Sequence, residues 1–527
     1  KIDAARQAIY DLPRVKKFVK KFNQQKVEKY IESIEAELEE LDYNDPKDKR
    51  KIDSREQKIS NIRAGVFTTK KEQDLIRPIN LGSPVDLPAL MYSDSGFKFP
   101  VIKNNESGKP STDEDTLVEL RLTVKDPESP KAIFLDKLLE LRGLQKMYTT
   151  YIEGWHEKVQ DDSRLHGRYN IHGTDSNRFS SADPNMQQIP KTSVDPNIKK
   201  QLVAPPGYLY MAFDYSQAEL RMMAHLSGDE TYLEAFAKGV DPHLGIAAAK
   251  YGVSIEEASK AYEDETHPDY KLWKVRRKQA KQIAFGLIYG IGNKLLAVKL
   301  SDPKAGIIVT PEEAAKEMEV FFGQHPKIRK FKEKQEKFLR KHGYYTQLFG
   351  TKRRLPQIYS NDKQEVAYAI RLGLNFPCQG AAANMTNFGA ILVYWLMRQG
   401  KLPMMKEACT VHDAVYMYSK PQDINTWTVY TIWNILRNPS TKRYFGFQVD
   451  DVDMDMDFTI GRTMAEELPF IPGYDYNKML QPDFSVEEYM AEHKKYKHIH
   501  IKQFKERFNK QMKAYEKDFE RTHDLPS

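Results

Sequence analysis

Apolar runs and periodicities divide this chain into elements before any chemistry is considered. Residues 208–213 ("YLYMAF") form an uninterrupted apolar run that reads as a buried strand, and the run ends on an acid, Asp214. A second run, "CTVHDAVYMY" (409–418), sets Val411 and Val415 around His412 and Asp413. In "DVDMDMDF" (451–458) acids and apolar residues alternate with a period of two, which predicts a half-buried strand. Helical spacing appears at 24–41, where Val27, Tyr30, Ile31, Ile34, Leu38 and Leu41 recur between charges, and at 131–152, where Leu135, Leu138, Leu139, Leu141, Leu144 and Met147 form the stripe of an expected antiparallel partner. The intervening "NDPKDKRKIDSREQKISN" (44–61) is so charged that it is expected to be a solvated excursion. Residues 164–215 read as strand-rich and 217–398 as mostly helical with Gly and Pro breaks.

The end of the chain has its own pattern. Across 491–527, Lys and Arg outnumber acids, and Ile501, Phe504, Phe508, Met512, Tyr515 and Phe519 fall at steps of three or four. This predicts a basic amphipathic helix, either docked on the body by its aromatic stripe or contacting DNA or a partner. His498 and His500 read as surface residues and not as metal ligands.

Composition changes this picture only at the margins. The 527 residues are 40% hydrophobic and 29% charged, as expected of a globular chain of several domains, and a net charge of +7 is compatible with a polyanionic partner. Two cysteines, Cys378 and Cys409, are too few for a disulfide framework and imply a reducing compartment. The longest apolar stretch, "GAILVYWLM" (389–397), is far shorter than the ~20 residues of a membrane span, so a cytoplasmic protein without a membrane partner is expected. The chain opens on Lys1 and not on methionine, consistent with a portion of something longer.

Chemistry concentrates at the two acid-bearing runs. A carboxylate closing an apolar strand is desolvated unless a cation faces it, and a metal ion is one candidate for that cation. Asp214 and Asp413 could each be structural; if they face each other, a pair of Mg²⁺ ions bridging carboxylates and phosphates would offset their repulsion. Between them, "RRKQAKQIAFGLIYG" (276–290) spaces Arg277, Lys281, Phe285 and Tyr289 at i, i+4, i+8 and i+12, on one slowly rotating helix face. Two cations followed by two aromatics suit a polyphosphate, a sugar and a base.

At this point the chain resembles the polymerase portion of the family A DNA polymerases, the group of bacterial DNA polymerase I and certain phage replicases. "DYSQAELR" (214–221) is similar to that family's motif A, "RRKQAKQIAFGLIYG" to motif B and "VHDAV" (411–415) to motif C. "TDSNRFSSADPNMQQIP" (174–190), "LFGTKRRLP" (348–356) and "RLGLNFPCQGAAAN" (371–384) match as well, in the family's order. The resemblance implies an α+β right hand with an antiparallel palm sheet, helical fingers and a helical thumb. It divides the chain into 1–20, the start of the palm or a remnant of an upstream domain; 21–163, thumb; 164–232, palm; 233–365, fingers; 366–465, palm; and 466–527, a basic helical extension.

It also implies roles for individual residues. Asp214, Asp413 and the Tyr215 carbonyl would hold two Mg²⁺ ions, with Mn²⁺ able to substitute. Gln217, Glu219, His243, Arg277, Lys281, Phe285 and Tyr289 would bind the incoming dNTP, with Lys281 also a proton donor to pyrophosphate and Glu219 and Tyr289 the pair that excludes ribose. Arg178, Asn185, Gln187, Arg371, Asn375, Gln379 and His412 would contact primer-template DNA, several of them through the minor groove. The expected enzyme is a monomer, a template-directed DNA polymerase of replication or repair, with any processivity partner left open. Residues 1–20 carry no acidic exonuclease signature, so no proofreading is expected from this chain.

Departures accompany these matches. Asn177 stands where the family has Gly, and Asn tolerates the positive φ that Gly would supply. Ala284 occupies a position that is often polar, and Ala414 replaces the acid that usually follows the motif C aspartate. The stretch 254–273 lengthens the expected fingers. Two rival readings are a phage-type single-subunit RNA polymerase, opposed by Glu219, and a catalytically inactive DNA-binding subunit, opposed by the presence of both acids.

Overall fold

The apolar run that ends on Asp214 becomes the central strand of a five-stranded antiparallel sheet. The structure, a computed structural model, describes residues 1–496 apart from 106, 193, 302–308 and 440. In chain order its strands are β1 (Arg168–Asn170), β2 (Ser180–Ala182), β3 (Leu209–Tyr215), β4 (Tyr344–Thr346), β5 (Lys352–Arg354), β6 (Lys406–Val411), β7 (Ala414–Ser419), β8 (Met456–Gly461) and β9 (Leu468–Pro469). The large sheet runs β6-β7-β3-β8-β9, while β1–β2 and β4–β5 form separate two-stranded ribbons. Every residue of β3 except Asp214 is buried, which is why the strand reads as a continuous apolar run and not as an alternation. The 36-residue helix Lys363–Arg398 packs against β7, and helix Thr426–Arg437 packs against β8, where Trp433 Nε1 donates to the Met456 carbonyl at 2.9 Å. The alternation at 451–458 is present in burial, with Val452, Met454 and Met456 inside, but regular pairing begins only at Met456.

The chain forms two units, 1–153 with 297–309, and 154–296 with 310 onward. In the first, Ile9, Val15 and Phe18 share a core with Phe134, Leu135, Leu138 and Leu141, so the helix Pro130–Met147 packs on Ile2–Tyr10 and the start of Pro13–Glu39. The rest of Pro13–Glu39 has a different partner from the one its stripe suggests. The charged stretch expected to be solvated is the helix Pro46–Arg63, which starts at Pro46 after an Asp45 cap. Its Ile52, Ile59 and Ile62 close on Ile31, Ile34 and Leu38. Three isoleucines on one face suffice to bury a seam even though the segment's average is strongly polar.

The second unit holds the sheet and the helices Ala218–Ser227, Pro242–Tyr251, Ile255–Glu263, Tyr270–Ile288 and Pro326–His342. Both cysteines are buried and neither is in a disulfide. Among the described residues no helix is long and apolar enough to cross a membrane. The stripe expected from Ile501 to Phe519, with His498 and His500, lies outside the described residues.

Candidate active site

Strands β6 and β7 pair through Val411↔Ala414, so His412 and Asp413 are the two residues of a tight hairpin loop. Such loops need positive φ, and His412 has φ +54°. The neighbouring ladder pairs Ala414 with Asp214, which sets the Asp413 turn beside the end of β3. On its other side Asp214 pairs with Asp457 of β8. Burial by surrounding protein and the charges of Asp413 and Asp457 push the Asp214 carboxyl up to about 6, with Lys191 and Lys199 opposing. Among the described residues no side chain hydrogen-bonds or ion-pairs with Asp214. No three His, Cys, Asp or Glu side chains among them converge on a metal-holding point. Asp214, Asp413 and the Tyr215 carbonyl could supply a hard-oxygen, incomplete donor set, the kind Mg²⁺ accepts when phosphates and water fill its other positions.

The segment 174–190 is tied down around these acids. Arg178 ion-pairs Glu219 and reaches Asp413 Oδ1 at 3.5 Å, so one guanidinium spans both carboxylates. Glu219 lies in the first turn of helix Ala218–Ser227, 7% exposed, with Oε2 unpartnered; burial raises its carboxyl and Arg178 lowers it. Gln217, in the left-handed conformation at φ +59°, starts that helix and buries an unpartnered Oε1. Tyr215 is buried, its hydroxyl bonded to the Leu436 carbonyl. Gln187 Nε2 donates to the Thr410 carbonyl at 2.9 Å and its Oε1 accepts from the His412 backbone N–H at 2.9 Å, locking the Asp413 turn to this segment. Asn185 caps the short turn at Gln187. Asn177 does take the positive φ, +62°, and its Nδ2 donates to Thr351 Oγ1 at 2.8 Å.

The motif B residues lie on helix Tyr270–Ile288 and its C-cap, Tyr289, with Phe285 and Tyr289 rings 6.0 Å apart. Lys281 Nζ stands 5.5 Å from the Phe285 centroid. Burial, then repulsion from Lys191 and Arg277, lowers the Lys281 ammonium. Arg277 Nε and Nη2 donate to Asp241 Oδ2 at 3.0 and 2.5 Å, while Asp241 Oδ1 caps helix Pro242–Tyr251 by accepting from Leu244 N–H. That helix carries His243, fully buried against Phe285 with both ring nitrogens unpartnered. Burial and the nearby Arg277 and Lys281 hold its imidazole down to about 4, against the pull of Asp241. On the long helix Lys363–Arg398, Arg371, Asn375 and Gln379 recur every four residues on one face. Asn375 Oδ1 is buried without a partner, and a side chain at Gly290 would touch Arg371.

Four further residues bear on this site and lie outside the matched motif positions. Lys191 acts electrostatically on Asp214, His412 and Lys281. Asp457 flanks Asp214, and Asp241 holds Arg277. Lys332, its ammonium lowered to about 8 by burial, donates to the Leu287 and Ile288 carbonyls and so caps the last turn before Tyr289. The even spacing of the motif residues is readable from sequence, whereas these four depend on register and on packing between distant elements.

The chain matches the family model described as DNA polymerase family A over residues 49–466. It is 34% identical over 324 residues to DNA polymerase I of Pseudomonas aeruginosa, covering 61% of this chain and 32% of that protein. With the thermostable DNA polymerase I of Thermus aquaticus the identity is 31% over 364 residues, covering 68% and 39%. The chain thus spans well under half the length of the curated relatives it matches. Among solved structures it is similar to the POL domain of Pol1 from M. smegmatis in complex with DNA primer-template and dNTP, with a TM-score of 0.60, 26% identity, and coverage of 87% of this chain and 67% of that one.

Proposed function

The chain belongs to DNA polymerase family A, and from that premise we propose that it adds deoxynucleotides to a primer 3′ end under the direction of a DNA template. The observation that carries this reading is the register that sets Asp214 beside the Asp413 hairpin turn, with Glu219 in the first turn of the helix that follows β3. Asp214, Asp413 and the Tyr215 carbonyl would hold two divalent cations, Mg²⁺ or Mn²⁺. When bound, such ions supply charge neutralisation and activation of the primer hydroxyl. The acids themselves orient the reacting centre: the hairpin fixes Asp413, and β3, paired on both sides, fixes Asp214.

Arg277, Lys281 and His243 bind the triphosphate. The unpartnered His243 nitrogens and the desolvated Lys281 ammonium support this assignment, because each lacks a strong protein partner. A lowered ammonium pKa also makes Lys281 a better proton donor to departing pyrophosphate. Phe285 packs on the deoxyribose, Glu219 with Tyr289 rejects a 2′-hydroxyl, and Gln217 lines the same pocket. Arg178, Asn185, Gln187, His412 and the Arg371, Asn375, Gln379 face receive primer-template DNA. Primer extension with Mg²⁺, comparing dNTPs with NTPs, tests the reading: extension with dNTPs, lost in Asp214→Ala and Asp413→Ala while DNA binding persists, is expected. Wild-type rates in either variant would refute it.

A further inference from the structure

The stretch 254–273, which the family resemblance leaves without a role, packs directly behind the triphosphate cations. Ser254 caps the helix Ile255–Glu263, whose Ala258 and Ala261 are fully buried as it lies on helices Pro242–Tyr251 and Tyr270–Ile288. This presents the ring of Tyr262 to the first turns of the motif B helix. The Arg277 guanidinium carbon is 5.3 Å from the Tyr262 centroid, and Lys274 Nζ is 4.0 Å from it and 4.8 Å from the Tyr270 centroid. Tyr270 is in turn bonded to Glu265 Oε1 at 3.1 Å.

Among the described residues Arg277 has one other restraint, Asp241, which occupies its Nε and Nη2 edge. A phosphate recognises a guanidinium through that kind of N–H edge, so an arriving triphosphate competes with Asp241. An aromatic face restrains the guanidinium from its plane and leaves the N–H groups free. We propose that the 254–273 insertion is a brace for triphosphate binding, in which Tyr262 is a positioning residue that keeps Arg277 aimed when its edge passes from Asp241 to phosphate. Lys274 Nζ lies over the same ring without taking part in the brace.

This inference rests on the reading of Arg277 as a triphosphate contact, and the test separates the two. Steady-state single-nucleotide incorporation is measured for the whole chain and for Arg277→Ala, Tyr262→Leu, Tyr262→Phe and Lys274→Met, with primer-template affinity as a control for folding. Tyr262→Leu should raise the dNTP KM about three- to tenfold with kcat little changed, the size expected for losing one partly desolvated cation–π contact. Tyr262→Phe, which keeps the ring face, should restore the KM, and Lys274→Met should leave it near wild type. A raised KM in Arg277→Ala with an unchanged one in Tyr262→Leu overturns the brace alone. An unchanged KM in Arg277→Ala removes the triphosphate role and the brace with it, and a rise in Lys274→Met equal to that in Tyr262→Leu shows that the ring serves Lys274.

Discussion

Asp214 is charged at neutral pH at some cost to the protein. Its folded pKa of about 6 lies above the ordinary 3.8, so its contribution to stability is fully present below 3.8 and is lost as pH rises through 6. At pH 7 the metal-free protein should therefore gain from Asp214→Asn. Because the carboxylate faces solvent, screening reduces the nominal effect to about 1 kcal/mol, measurable by denaturant unfolding with chelator. The same titration shapes activity: extension should fall as pH drops through 6, and raising Mg²⁺ should move that acid limb lower, since metal competes with the proton. A limb that ignores Mg²⁺ would place the titration elsewhere. Glu219 makes a different prediction. Held by Arg178 and nearly inaccessible, it would on the proposed reading act as a fixed obstacle, so Glu219→Ala should raise ribonucleotide incorporation relative to dNTP by about 10²-fold or more, read from single-nucleotide insertion.

The ladders around Asp214 bear on the missing motif C acid. Ala414, on one side, is 5% exposed, whereas Asp457, on the other, is open to solvent. A carboxylate introduced by Ala414→Glu would be buried beside Asp214, so that variant should lose stability and activity and not gain Mg²⁺ affinity. Asp457→Asn, by contrast, should raise the Mg²⁺ needed for half-maximal extension; titration of both variants and direct Mn²⁺ binding by calorimetry decide this. The contrast marks what could be read in advance. That Arg277, Lys281, Phe285 and Tyr289 share a helix was legible because helical spacing is local, whereas Arg371, Asn375 and Gln379 were singled out only through the family resemblance. That Asp457 lies opposite Asp214 was not legible, because an alternating strand declares its outward face but not its register with a strand far away in the chain. The helix Pro46–Arg63 was hidden for another reason: three isoleucines among lysines, arginines and acids barely move an average. Ile59→Ala should cost about 2 kcal/mol and appear as faster amide exchange across 46–63, with that of the Phe134–Leu141 core unchanged.

For the whole molecule, on the proposed reading, an excess of 81 Lys and Arg over 74 acids would let released counterions carry much of the affinity for DNA. Affinity for primer-template should then fall about tenfold or more between 50 and 200 mM salt, with a similar slope for unrelated sequences. Sheet order has a further consequence, for the birth of the molecule. Strand β3 is central, yet neither neighbour, β7 nor β8, is made until roughly 200 residues later. At ~5–20 residues per second a ribosome needs on the order of 10–40 s to cover that distance. For most of that time "LYMAFDY" has emerged without the strands that cover its two edges in the folded chain. The helices Pro242–Tyr251 and Tyr270–Ile288, which carry the proposed triphosphate contacts, are synthesised in the meantime, so they can fold before Asp413, the second of the two acids, is made. A nascent chain arrested before Lys406 should thus recruit chaperones and aggregate when released, and one arrested well beyond Pro469 should not.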